Sequence, residues 1–299
     1  MTFLKLLFHF LFYTVLCSKA FSAGDAVSLT STEITRIGSF PITNSMITSW
    51  VVSIFIIILV RILVKTPKLI PTKGQLIVES AIGGLRALVE PIVGRKTFFP
   101  SFWLLSGLFI FILIQNWSGL MPGVGTVGNG YMKDGHFSIV EPLIRPGNAD
   151  LNMTLALALV ANLFWIYYIV KFAGIKVILK DWFGNKADKN QVHITIFLML
   201  GVLFLAVGFI EILSILFRPV SLSFRLFGNV FGGESLLHSM FLLGESLGLP
   251  EIATKISMVV APLPFYFMEM LIGLVQALVF MLLVSVYIGL ICNHEDEHH

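Results

Sequence analysis

The sequence predicts an all-α, polytopic membrane protein of about five passes, with one further helix lying in the interface. Three observations carry this. Of the 299 residues, 57% are hydrophobic and 12% charged, with a mean hydropathy of +0.91, whereas a soluble domain carries about 25% charged residues. Several apolar runs exceed the roughly 18 residues that mark a spanning helix, and the ten-residue alternation of a membrane barrel is absent. The lysines and arginines gather in short segments between those runs, as the positive-inside rule requires of cytoplasmic loops.

The net charge of +3 is too small and too loop-confined for a nucleic-acid partner. The two cysteines, Cys17 and Cys292, form no CxxC or Cys/His spacing, so neither a metal site nor a disulfide framework follows. No cofactor is implied, and no Gly-rich phosphate loop of the Walker type occurs.

Residues 1–23 read as a secretory leader. Lys5 supplies a short positive region, Leu6 to Leu16 an apolar core, and Ala20-Phe21-Ser22 a small-x-small cleavage pattern. The alternative is an uncleaved first membrane segment. Residues 24–45 form a polar N-terminal stretch before the first clear span, Met46 to Val64. A basic segment follows, in which Arg61, Lys65, Lys68, Lys73, Arg86, Arg95 and Lys96 stand against Glu79 and Glu90. That side is expected to be cytoplasmic, which leaves the residues before the span outside. Within this segment Leu76, Ile77, Ile82, Leu85, Leu88 and Val89 make an apolar stripe beside Glu79, Arg86 and Glu90. Such a stripe suits a helix lying in the interface.

The second span covers Phe98 to Leu120. A Gly- and Pro-rich loop to Asp150 lacks basic excess and fits the outer side, its charges being Lys133, Asp134, Glu141, Arg145 and Asp150. A third span, Leu151 to Val170, leads to a second basic loop with Lys171, Lys176, Lys180, Lys186 and Lys189. Residues 193–243 and 252–292 then stay apolar for far longer than a bilayer needs. As helices they would measure roughly 75 and 60 Å against a hydrocarbon core of about 30 Å. They must tilt steeply or break, with Pro219, Gly228, Gly232 and Gly233 as break points in the first and Pro262 and Pro264 in the second. The Gly248-Leu249-Pro250 turn makes the two an antiparallel pair and returns the tail, 293–299, to the cytoplasm. Residues 46–292 thus form a single membrane domain.

The ionisable residues inside the two long runs are Glu211, Arg218, Arg225, Glu234, His238 and Glu269. A charge near the bilayer centre costs about 2.5–3.5 kcal/mol on insertion scales, so such groups mark function unless a plainer role accounts for them. Arg218, beside Pro219, suits a snorkelling residue near a helix end equally well. His238 is as compatible with a satisfied interior imidazole, and Gly228, Gly232 and Gly233 with close helix packing. Arg225 has no such account, lying deep within one apolar run. At about 100° per residue, Ser221, Arg225 and Asn229 share a face, with Glu211 about 40° away from it. Glu234 falls about 180° from Arg225, with His238 on its side. Glu269 and Gln276, seven apart on the last helix, project together.

The run Pro219-Val220-Ser221-Leu222-Ser223-Phe224-Arg225-Leu226-Phe227-Gly228-Asn229, followed by Gly233-Glu234, resembles the signature of subunit a of the F-type ATP synthase. Leu274-Val275-Gln276-Ala277-Leu278-Val279-Phe280 is similar to the last-helix motif of that family, with Leu278 in place of its phenylalanine. Asp150-Leu151-Asn152-Met153-Thr154-Leu155-Ala156 matches the start of its middle span. The resemblance covers residues 45–292, in the right order.

It implies a proton-translocating stator subunit in a bacterial inner membrane, without catalytic chemistry of its own. Its partners would be the c-subunit rotor ring, the peripheral-stalk b subunits, the rest of the synthase and the lipid. Arg225 would face the ring between two aqueous half-channels. Gln276 and Asn229 would assist it, with Ser221 on the same face. Glu234 with His238 would line the outer half-channel. Glu269 stands where many bacterial members have histidine, so the resemblance leaves open which of the two acids carries the relay. Glu211 matches a further channel-facing acid. The rival reading is a stand-alone secondary ion transporter, which would show internal repeats and discontinuous helices around a midplane site. A purely structural anchor leaves the buried charge unexplained.

Overall fold

A computed structural model of the chain describes residues 31–121, 124, 128–133, 136–172, 174 and 194–292. The leader, most of the second basic loop and the tail 293–299 lie outside the described residues. Among those described, five helices are long and apolar enough to cross a membrane, in agreement with the sequence reading.

Two strands, β1 (Glu33–Ile37) and β2 (Phe40–Thr43), form an antiparallel hairpin that runs directly into α1 (Asn44–Val64). Thr43 caps α1, its hydroxyl accepting from the Met46 N–H at 3.4 Å. α1 exposes Ile54, Ile57, Ile58 and Ile62, which are suited to lipid contact. α2 (Lys73–Val93) is the helix read as interfacial. Its Leu85, Val89 and Val93 enter the protein core, while Leu76, Ile77, Ile82 and Leu88 stay exposed. The sequence stripe is therefore divided between a protein contact and an outward apolar face. α3 (Arg95–Gly119) follows after Gly94. A second hairpin, β3 (Gly128–Lys133) with β4 (His136–Pro142), and a single 3₁₀ turn (Gly147–Ala149) connect it to α4 (Leu151–Phe172). Neither hairpin carried enough apolar alternation to be legible in the sequence.

The long pair comprises α5 (Ile194–Phe241) and the return passage, made of a short α6 (Leu243–Ser246), α7 (Glu251–Val260) and α8 (Pro262–Cys292). α5 runs 48 residues without interruption through Pro219 and the three glycines, which corrects their reading as break points. The return passage does break, at Ala261 before Pro262 and Pro264, where two backbone N–H donors are missing.

α8 lies along α3, α5 along α4, and α8 also touches α2, α4 and α5. Leu105, Ile112, Leu226, Met281 and Ile288 are fully buried where these helices meet. Ala158, Ala161 and Ala277 bring backbones close, as small residues do between membrane helices. Buried hydroxyls turn back onto their own helices: Ser101 donates to the Thr97 carbonyl at 2.6 Å and Ser285 to that of Met281 at 2.8 Å. Satisfying these groups locally matters where water is excluded.

Candidate functional site

The segment of α5 around Arg225 is oriented by what its neighbours bury. Leu222, Ser223 and Leu226 turn inward, and the Ser223 hydroxyl shares a 2.9 Å hydrogen bond with Thr154 of α4. Asp150 fixes the start of α4. Its Oδ1 accepts from the Asn152 N–H at 3.0 Å and its Oδ2 from the Ser45 hydroxyl at 2.7 Å, with Ser31 as a further donor. Ser221, Phe224, Arg225 and Gly228 are left on the outer surface of the chain, with Asn229 half-buried. Among the described residues, Arg225 makes no hydrogen bond or ion pair. An unpartnered guanidinium on the surface of an apolar helix is stable only against a partner of opposite charge or against water.

Nine residues on, α5 presents a different face. Glu234 and His238 line a cavity of about 100 Å³ together with Glu269 of α8, Asn116 of α3 and Pro146 of the connecting segment. That is room for several waters. Glu234 is half-buried and Glu269 buried. The Glu234 Oε2 atom is shielded and has no hydrogen-bond partner among the described residues. Gly233 makes the juxtaposition possible, because a Cβ there would coincide with the carboxyl group of Glu269. Of the three glycines read as packing residues, Gly233 alone has this role. A Cβ at Gly228 or Gly232 would meet nothing within 4 Å.

The structure thus brings Glu234, His238 and Glu269 to one cavity and keeps Arg225 and Ser221 on a separate, outward face. Gln276 sits two turns beyond Glu269 on α8 and is half-buried. Glu211 is drawn elsewhere. Its carboxylate pairs with Arg218 Nη2 at 2.8 Å, so it is neutralised by the arginine seven residues before Arg225. Arg218 also differs from a snorkelling residue, because its guanidinium lies 4.6 Å from the Trp165 ring and 4.3 Å from that of Tyr287. This aromatic box ties α5 to α4 and α8, and the Trp165 indole N–H reinforces it by donating to the Tyr287 carbonyl at 2.7 Å.

Several polar residues beside the cavity were not singled out by the sequence reading. Asn116 donates to the Gly273 carbonyl of α8 at 2.9 Å and accepts from Asn148 at 2.7 Å. Gln115 accepts from the Gly147 N–H at 3.1 Å. Arg145, which counts in sequence as an outer-loop charge, is buried. The Gln115-Asn116 pair inside an apolar span was the available signal. A lone arginine in a Gly- and Pro-rich loop offered none.

The family model described as ATP synthase A chain matches residues 46–289. The chain belongs to that family. Subunit a of the ATP synthase of Geobacter sulfurreducens is 32% identical over 242 residues, covering 80% of this chain and 83% of the relative. That of Trichlorobacter lovleyi is 30% identical over 247 residues, with 82% and 85% covered. The match to the ATP synthase A chain family takes in every residue of the cavity and of the arginine face. As a family member the chain is a multi-pass membrane component of an ATP synthase, a non-catalytic subunit on the proton-translocating side of that complex.

Proposed function

We propose that the chain is the stator half of the proton path in a bacterial F-type synthase, with Arg225 facing the c-ring and the Glu234 cavity forming part of the outer half-channel. The observation that carries this reading is the separation of the two sites on α5. An arginine without a hydrogen bond or ion pair among the described residues faces outward, and an acid-lined cavity lies on the opposite side of the same helix.

The chemistry follows from charge. A guanidinium stays protonated throughout the physiological range. It therefore attracts an ionised rotor carboxylate, releases it when that group is protonated, and bars direct proton passage between channels. Protons from the outer side reach the ring through Glu234, with His238 and Glu269 lining the same volume. Asn229 and Gln276 would assist at the ring, with Ser221 on the outward face. Glu211, held by Arg218, belongs to the inner side. Each charge carried across is worth about 2.3 kcal/mol per 100 mV, which biases the ring toward one sense of rotation. Peripheral-stalk b subunits would hold the chain against the torque. The distribution of basic segments supports a cytoplasmic C-terminus, with the start of α1 outside a cell inner membrane.

Disulfide trapping tests the placement in a background without Cys17 and Cys292. A cysteine at Ser221 should cross-link to one beside the ring carboxylate, and a cysteine at buried Leu226 should not. The reverse pattern would refute it.

A further inference from the structure

The corner between α1 and α2 carries a surface to which the proton path gives no role. In the linker 65–72, Leu69 and Ile70 are 105% and 86% exposed, more than any other large apolar side chain among the described residues. Arg61 in the last turn of α1, Lys65, Lys68 and Lys73 flank this tip in the chain. All four are exposed, and none is in an ion pair among the described residues. Glu79, the one acid between residues 61 and 80, accepts from Gln75 Nε2 at 2.7 Å.

The tip is held outward by its own supports. Gln75 is buried, its Oε1 accepting from the Lys68 N–H at 3.2 Å and its Nε2 donating to the Lys68 carbonyl at 3.0 Å. Thr72 caps α2, its hydroxyl accepting from the Gln75 N–H at 3.4 Å. A Cβ at Gly74 would strike the Leu63 carbonyl, so the start of α2 rests on the end of α1. Pro67 and Pro71 bracket Lys68-Leu69-Ile70 and restrict the backbone on either side. Lys65 has φ 49° and ψ −121°, a shape that glycine takes without steric cost. It is the only non-glycine with positive φ among the described residues. A lysine kept at such a position marks a side chain in use.

A fixed apolar tip among four cations fits a surface that is apolar beneath and anionic at its rim. Leu69 follows the end of α1 by five residues, a reach of at most about 18 Å, so the bilayer that α1 crosses is the nearest apolar phase. Ile62 before the tip and Leu76 and Ile77 after it are exposed as well, and continue the apolar side onto both helices. We propose that Leu69 and Ile70, with Arg61, Lys65, Lys68 and Lys73, form a docking site for acidic phospholipid headgroups that seats the α1–α2 corner in the bilayer interface. This docking is independent of the roles given to Arg225 and Glu234.

The test uses the whole complex with Ile70→Cys, in a background free of Cys17, Cys292 and other reactive cysteines, labelled with an environment-sensitive fluorophore. The complex is reconstituted into vesicles of phosphatidylcholine alone or mixed with phosphatidylglycerol, and quenching by uncharged acrylamide is measured. Acidic lipid should lower the quenching constant about threefold and blue-shift the emission, as the label leaves water for the acyl boundary. The triple variant Lys65→Gln/Lys68→Gln/Lys73→Gln should lose that response. Strong quenching in both vesicles would overturn the proposal. So would equal shielding in both, which marks a protein subunit covering the tip, or a lipid response that survives the triple variant. If the triple variant fails to assemble, salt decides on the Ile70→Cys complex. Between about 0.1 M and about 1 M the Debye length falls from about 10 to about 3 Å, so the label should return toward water. Shielding unmoved by salt would overturn the docking site.

Discussion

Gly233→Ala isolates the contact on which the shared cavity depends. An alanine methyl would occupy the space of the Glu269 carboxyl carbon and both its oxygens. Glu269 is 9% exposed and lines the cavity, so its carboxyl can retreat only into that volume, away from its position beside Glu234. Overpacking of this kind costs about 1–3 kcal/mol. The obstructing atoms are the far end of a flexible side chain, so the side chain swings away and the helices stay in place. The cost then falls on the position of the acid. At 1.4 kcal/mol per tenfold, the rate of proton transfer should drop by about 5- to 150-fold. ATP-driven acidification of inverted vesicles reads that rate, with immunoblotting of the complex and its ATP hydrolysis reporting assembly. Acidification should fall while assembly holds, and Gly233→Ala/Glu269→Asp should regain part of it by drawing the carboxyl back one methylene. Wild-type pumping by Gly233→Ala, or a double variant no better than the single, would refute the argument.

Other contacts give sharper effects on stability than on transport. A Cβ at Gly289 would run into the Ile92 carbonyl, which is backbone and does not move aside, so Gly289→Ala should weaken the α2–α8 contact by about 1–3 kcal/mol in detergent melting. Asp150→Ala removes the α4 cap, worth about 0.5–2 kcal/mol, and one hydrogen bond of the Ser45 hydroxyl, which keeps Thr43 and Ser31 as partners, for a combined loss of about 1–3 kcal/mol by the same assay. Arg218→Gln should cost about 1–2 kcal/mol through its aromatic box and leave Glu211 unneutralised, read as lower melting with α4 and α5 more open to proteolysis.

The passes were legible because hydropathy and loop charge report directly on the bilayer as solvent. Sequence bounds such as 193–243 for α5 (Ile194–Phe241) differ by a residue or two at each end. Pro219 misled, because proline in a membrane helix is tolerated where neighbours and local adjustments satisfy the freed carbonyl. Helical angles alone placed Glu234 and His238 together and opposite Arg225. They did not anticipate the partner of Glu211, because the same angle serves both Arg218 and Arg225, and only packing against Trp165 and Tyr287 distinguishes the two. Arg145 and Asn148 stayed hidden for a different reason. Burial in a loop depends on which helices close over it, and no periodicity in the loop itself records that.

The central claim is that Arg225 works at the surface where another subunit must meet this one. It is tested most directly by ATP-driven proton pumping in inverted vesicles whose whole complex carries Arg225→Ala. The account predicts that pumping is lost while the complex assembles and its soluble head still hydrolyses ATP. Normal pumping by a correctly assembled variant would contradict it.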